Sequence, residues 1–389
     1  MDPQQHRAIR PQPGNLRDPR SFVGREAVTS RARERLSVGA NLLLTDFRRM
    51  GKTYWMRTFA DRETAFRSYF IDYEGTDTTS GFLDKTAKHL AENPKLPERM
   101  RKHLATIFDH VDSIGVPGYL TLKPYHTTTP PLILLEDILS GLDARDDEDP
   151  VPLVLMDEVP MAVALIAEKE GATAARGLLQ TLRGLRQNTT RVRWIVTGSV
   201  GFHHVIRQAG ATSGDINDLE PLHLGPMPEQ ESQELAQALF RGIHQVPSDA
   251  VVDELIDVSG GIPAIMHQVL TIIDLHGHDA PGPDDIREAF EDVIDDPHAF
   301  ASFRHFAERV REYYGPLTGE AEQILDITSR SAPGAWVAVA DLPQGDELRN
   351  TMDLLCQDHY LERHGGRVRW RYPAFAYIWS RSRNLRERP

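Results

Sequence analysis

A single cysteine in 389 residues, Cys356, excludes an intrachain disulfide framework and any zinc site built from several thiolates. No apolar run approaches the roughly 20 residues of a membrane-spanning helix. The start, Met1-Asp-Pro-Gln-Gln, lacks the basic and apolar regions of a secretory leader. Internal repeats and low-complexity tracts are missing as well. These absences point to a globular protein of the cytoplasm with no membrane partner. Lysine is scarce, with seven in a chain whose basic residues total 44, so a lysine inside a motif stands out. The net charge of −13 argues against nonspecific nucleic-acid binding by the whole surface, while a local basic patch stays open.

One of those lysines follows an apolar run. Asn41-Leu-Leu-Leu-Thr-Asp-Phe-Arg-Arg-Met-Gly-Lys-Thr53 reads as a strand, a loop of phosphate size and the start of a helix. Loop N–H groups of this kind form an anion-binding nest, and the helix adds its positive end. Arg48, Arg49, Met50, Gly51, Lys52, Thr53 and Tyr54 are the candidate nucleotide contacts. Lys52 reaches the β- and γ-phosphates, and the Thr53 hydroxyl can ligate Mg²⁺. A second run, Val151-Pro-Leu-Val-Leu-Met-Asp-Glu158, reads as a buried parallel strand that delivers two acids at its end. Asp157 is then the Mg²⁺ ligand, and Glu158, with Lys52, the catalytic pair, Glu158 orienting and deprotonating the attacking water. The full loop pattern has glycine at position 46, where this chain has Asp. Its carboxylate must point away from the phosphates or lose affinity through repulsion; Arg48 and Arg49 can offset the charge.

Along the chain, residues 1–20 read as a mobile arm. Residues 21–215 alternate helix and strand, which predicts an α/β domain with a doubly wound parallel sheet. The stretch from Glu92 to Pro131 reads as an insertion, and Asp143–Pro150 as a charged surface loop. Residues 216–300 are helical from Pro228 on, with Gly260-Gly-Ile-Pro263 opening a helix. Residues 301–389 give helices near Glu320–Ser329 and Asp346–His359, then a hairpin about Gly365-Gly366. Its alternation puts Val368, Trp370 and Tyr372 on one face and Arg367, Arg369 and Arg371 on the other. Helix, helix and two-stranded wing is a winged-helix arrangement.

In motif order these residues resemble the STAND branch of the AAA+ ATPases, most closely its archaeal-type ATPase group, from Phe22 to about Trp379. Phe22-Val-Gly-Arg-Glu26 is similar to the entry motif, which implies that Val23 and Gly24 lie against the adenine. Asp46–Thr53 resembles the Walker A loop and Leu153–Glu158 the Walker B strand. Val196-Thr-Gly-Ser199 resembles the sensor-1 strand end, implying that Thr197 or Ser199 meets the γ-phosphate or the water. Arg207 is a further sensor candidate, beside the alternative of a solvated helix arginine. Gly261-Ile-Pro263 is similar to the lid signature, implying that Pro263 touches the base. Arg183 and Arg186 lie where oligomeric relatives offer charge to a neighbouring subunit, although a solvated helix face would look the same. Adjacent His203 and His204 would point to different faces and make poor paired metal ligands.

Three functions follow from these residues and stay open together. The first is an ATP- and Mg²⁺-dependent molecular switch coupling nucleotide state to lid and winged-helix position, with self-assembly or a protein partner. The second is a DNA-associated AAA+ ATPase, similar to origin-recognition or transposon-regulator proteins, with Arg367, Arg369, Arg371, Arg381 and Arg383 as DNA contacts. The third is a hydrolysis-deficient, nucleotide-stabilised scaffold, suggested by Asp46.

Overall fold

The computed structural model describes residues 7–12, 14, 18–109, 123–124, 129–144, 150–198, 201–277, 280–295, 301–332 and 334–385. They form two compact units. The first comprises Glu26–Thr45 and Trp55–His223; the second comprises the described residues up to Arg25, Asp46–Tyr54, and those from Leu224 onward.

The first unit is α/β, as the strand–helix alternation predicts. Five strands, β1 (Asn41–Thr45), β2 (Phe66–Asp72), β3 (Val151–Asp157), β4 (Arg193–Thr197) and β5 (Leu219–His223), pair in parallel in the order β2-β3-β4-β1-β5. Leu153 to Met156 of β3 and Trp194 to Val196 of β4 are almost fully buried, the burial on both faces that a central parallel strand requires. Around the sheet run α1 (Glu26–Ser37), α2 (Lys52–Arg62, whose first turn belongs to the second unit), α3 (Thr79–Glu92), α4 (Glu98–Ile107), α5 (Pro131–Gly141), α6 (Val159–Glu170), α7 (Ala172–Asn188) and α8 (Phe202–Gln208). Because all five strands run one way, β1, β3 and β4 end along one edge of the sheet. A ligand of such a sheet meets it at the carboxyl ends of its strands.

β5 lies beyond the boundary expected at residue 215, so the sheet runs on to His223. Leu-Glu-Pro-Leu-His hides its strand character because Pro221 cannot donate to a ladder. Among the described residues the strand pairs on one side only, with β1, which is where a proline is tolerated. Of the stretch read as an insertion, α4 and a short ladder joining Phe108–Asp109 to Lys123–Pro124 are described, and most of the remainder lies outside the described residues. The charged loop is described at its start. There the Asp143 carboxylate accepts from the N–H groups of Thr190 (3.0 Å), Arg191 (2.6 Å) and Val192 (3.2 Å), shaping the entry to β4.

The second unit is mostly helical: α9 (Glu229–Gly242), α10 (Asp249–Ser259), α11 (Pro263–His276), α12 (Pro283–Asp295), α13 (Ala301–Tyr314), α14 (Thr318–Arg330), α15 (Leu348–Gln357) and α16 (Pro373–Ser382). A small antiparallel sheet, β6 (Val337–Ala338), β7 (Leu361–His364) and β8 (Arg367–Trp370), has the order β6-β8-β7. The β7–β8 turn is Gly365-Gly366, both at positive φ, as that dipeptide predicts. Val368, Trp370 and Tyr372 are buried, joining Phe375, Ile378 and Trp379 of α16, while Arg367, Arg369 and Arg371 take the other face.

Within the stretch read as a mobile arm, residues 7–12 are seated on helices of this unit. Ile9 is buried and its N–H donates to the Ala238 carbonyl at 2.9 Å, while Arg241 Nε donates to the Arg7 carbonyl at 2.9 Å. Lack of periodicity hid this, since two adjacent apolar residues, Ala8 and Ile9, make no pattern.

Candidate functional site

The loop from Asp46 to Lys52 turns on two left-handed residues, Arg49 (φ 70°) and Gly51 (φ 89°). Such turns align successive N–H groups toward an anion. Lys52 is buried at the first residue of α2, and its ammonium donates back to the carbonyls of Asp46 (2.7 Å) and Phe47 (3.0 Å). The lysine therefore spans the loop from end to beginning and holds it closed. Thr53 is half-buried one residue on, and Tyr54 packs edge-to-face against Phe22 with ring centroids 5.0 Å apart. Arg48 is half-buried.

Asp46 is 7% exposed, and its carboxylate is fully engaged. It accepts from its neighbour's amide, Phe47 N–H, at 2.7 Å, from Gly225 N–H at 2.7 Å, and from the Tyr372 hydroxyl. Burial alone would raise its pKa. The nearby charge of His359, the Tyr372 hydroxyl, the Gly225 amide and the Lys52 ammonium outweigh burial and hold it below the usual carboxylate range.

The entry motif meets the loop through Arg25, a residue the sequence reading quoted but gave no role. Arg25 is left-handed (φ 70°) and buried. Its N–H donates to Glu231 Oε2 at 2.7 Å, and its guanidinium donates to the carbonyls of Leu224 (2.9 Å), Gly225 (2.8 Å) and Met50 (3.2 Å). Gly24 has φ 72°, a conformation that favours glycine, and packs against the Glu231 side chain, whose Oε2 would lie 2.6 Å from a Cβ there. Gly261 is similar: its carbonyl accepts from Met227 N–H at 2.8 Å, and a Cβ would lie 2.8 Å from the Met227 carbonyl. Pro263 then starts α11, half-buried. Entry motif, phosphate loop and Gly-x-Pro signature thus converge on one short segment, Leu224–Met227.

In the sheet unit, Asp157 is 2% exposed at the last position of β3 and accepts from Glu158 N–H at 3.0 Å. Glu158 sits at φ 57°, ψ 28°, a left-handed conformation uncommon outside glycine, and is half-buried. Strain of this sort persists where surrounding structure over-determines it, and it clusters at functional sites. Thr197 is fully buried at the end of β4, and its hydroxyl donates to the Leu44 carbonyl of β1 at 2.5 Å. In this structure its proton joins the two strands. Ser199 lies outside the described residues. Arg207 is exposed on α8, 3.4 Å from His204 Nδ1. Arg186 forms a buried bidentate pair with Asp218, at 2.6 and 2.9 Å, and so is not on a solvated face for a neighbour to use.

The C-terminal arginines are largely committed within the chain. Arg369 pairs with Glu362 and lies over Trp336, 4.5 Å from its ring centroid. Arg381 pairs with Glu291 and Asp295, and Arg383 with Glu322 and Asp326. Arg371 Nε donates to the Tyr372 hydroxyl at 3.2 Å, and Arg367 is exposed on β8.

No protein-family model matches this sequence, and no curated protein is similar to it. Solved structures are. The Walker-type ATPase PABY2304 of Pyrococcus abyssi aligns with a TM-score of 0.60 at 17% identity, over 92% of this chain and 96% of that one. The ORC2 protein of Aeropyrum pernix, in ADPNP–ADP complexes, aligns with a TM-score of 0.50 at 14% identity, over 96% and 95%. At such identities the likeness is one of fold: the chain shares the α/β fold of that Walker-type ATPase.

Proposed function

We propose that this protein is an ATP-binding and ATP-hydrolysing molecular switch of the STAND/AAA+ type. The observation that carries the reading is the closed loop at the end of β1, with the buried Lys52 ammonium drawn across it and left-handed turns at Arg49 and Gly51. An ammonium held at the mouth of such a loop can make a charge-assisted contact to a phosphate chain. In this reading the N–H groups from Arg48 to Thr53 and Lys52 hold the phosphates, and Val23, Gly24 and Pro263 flank the base. The loop and strand patterns make Thr53 and Asp157 the inferred Mg²⁺ ligands, and a cation held by them would offset phosphate charge. Glu158 takes the proton of the attacking water. Nucleotide-dependent contacts at Pro263 would set the lid and the C-terminal block, read as a winged helix, in two states. Self-assembly or a protein partner would then read the state.

A DNA-associated role draws less support, because Arg369, Arg381 and Arg383 already have carboxylate partners. A hydrolysis-deficient scaffold draws less too, because the Asp46 carboxylate that suggested it is engaged by Gly225 and Tyr372. The test is Glu158→Gln. ATP affinity should be kept, while turnover falls by roughly 10²–10⁴ with loss of the base. Turnover at the wild-type rate would remove Glu158 from the mechanism.

A further inference from the structure

Position 46 is where the loop pattern has a glycine that only turns the chain. In this protein the residue there is bonded to a tyrosine 326 residues away. Tyr372 closes the C-terminal hairpin and precedes α16, and its hydroxyl is hydrogen-bonded on two sides, donating to Asp46 Oδ1 and accepting from Arg371 Nε. Phe47, the next loop residue, is held by the same block: its ring lies 4.2 Å from that of Phe375, 5.2 Å from Tyr360 and 6.1 Å from Tyr372 between centroids. The other Asp46 oxygen takes Gly225 N–H, beside the carbonyls that anchor Arg25, and Arg25 in turn holds Met50 of the loop. Two points of the phosphate loop, Asp46 and Met50, are thereby fixed by residues outside it.

We propose that Asp46 and Tyr372 are a positioning pair through which docking of the C-terminal hairpin sets the nucleotide affinity of the phosphate loop. The carboxylate is a liability beside phosphates and is neutral to them only while its donors turn it away. Tyr372 supplies one of those donors, and it does so from the block that a switch would move. Linkage makes the effect reciprocal: nucleotide on the loop holds the hairpin down by the same factor as the hairpin favours nucleotide. The proposal rests on the ATP-binding reading.

The experiment is a double-mutant cycle of Tyr372→Phe and Asp46→Gly, read by ATP titration with Mg²⁺, with thermal melts to confirm that each variant folds. Tyr372→Phe should weaken ATP about tenfold, within the range of site-to-site couplings. In the Asp46→Gly background the same change should shift affinity less than about twofold, because no carboxylate remains to be turned away. Hydrogen exchange supplies a second readout, in which ATP should slow exchange of residues 367–372 in the wild type and not in Tyr372→Phe. Equal weakening in both backgrounds, or no weakening by Tyr372→Phe, would overturn the pair while leaving ATP binding intact. Absence of ATP binding by the wild type would instead overturn the reading beneath it, and the pair with it.

Discussion

His267 shows how a single burial turns into a pH dependence. It lies in α11, 4% exposed, and its Nδ1 accepts the Gln12 N–H at 3.1 Å. An accepting nitrogen is unprotonated, and burial lowers the imidazole pKa to about 4. The folded pKa is below the unfolded one, so the unfolded chain binds the extra proton first. Stability is therefore full above about pH 6.5 and falls as the pH drops toward 4, by about 2–3 kcal/mol at this residue. Urea unfolding at about pH 7.5 and 4.5 should show that much more acid sensitivity in the wild type than in His267→Gln. Equal acid sensitivity would mean that the ring is not held neutral. Thr197 makes the complementary point about hydroxyls. Its position invited a phosphate-sensing role, yet a buried hydroxyl satisfies its donor first, and the Leu44 carbonyl is the partner at hand.

Among the elements, the seat of the N-terminal segment depends on one glycine. A Cβ added to Gly242 at the end of α9 would lie 2.0 Å from the Ile9 carbonyl oxygen, closer than any packing allows. In an exposed helix, Gly→Ala would stabilise by about 1 kcal/mol. Here Gly242→Ala should destabilise, freeing residues 7–12 and exposing Ile9, whose burial is worth about 2 kcal/mol. Limited proteolysis should then cut near residue 10 in the variant and not in the wild type; equal resistance would show that the segment finds room. The elements that the sequence displays openly are those whose pattern is local. β1, β3 and β4 are continuous apolar runs, α14 and α15 are amphipathic, and Gly365-Gly366 announces its hairpin. β5 was hidden by Pro221, and the contacts of Ile9 by the absence of any period. Arg25, Asp46 and Tyr372 were invisible as a set because each bond joins residues far apart in sequence, and only folding reveals the partner.

For the whole molecule, the sequence carries a net charge of −13 with arginines gathered at its end, which suggested a basic patch set against an acidic body. Folding dissolves much of that contrast, because Arg363, Arg369, Arg381 and Arg383 each meet a carboxylate of the same unit. Pairs such as these contribute little individually when exposed, and each also occupies a guanidinium that a phosphate would need. Nucleotide binding consequently depends on the phosphate loop, and the most direct measurement of it is calorimetric titration of ATP with Mg²⁺ into the wild type and Lys52→Ala. Removing a charge-assisted contact to phosphate costs about 2–3 kcal/mol, so the variant should bind roughly 30- to 150-fold more weakly than a wild type that binds clearly. Equal affinity in the two proteins, or no heat from either, would contradict the assignment of this loop as a nucleotide site.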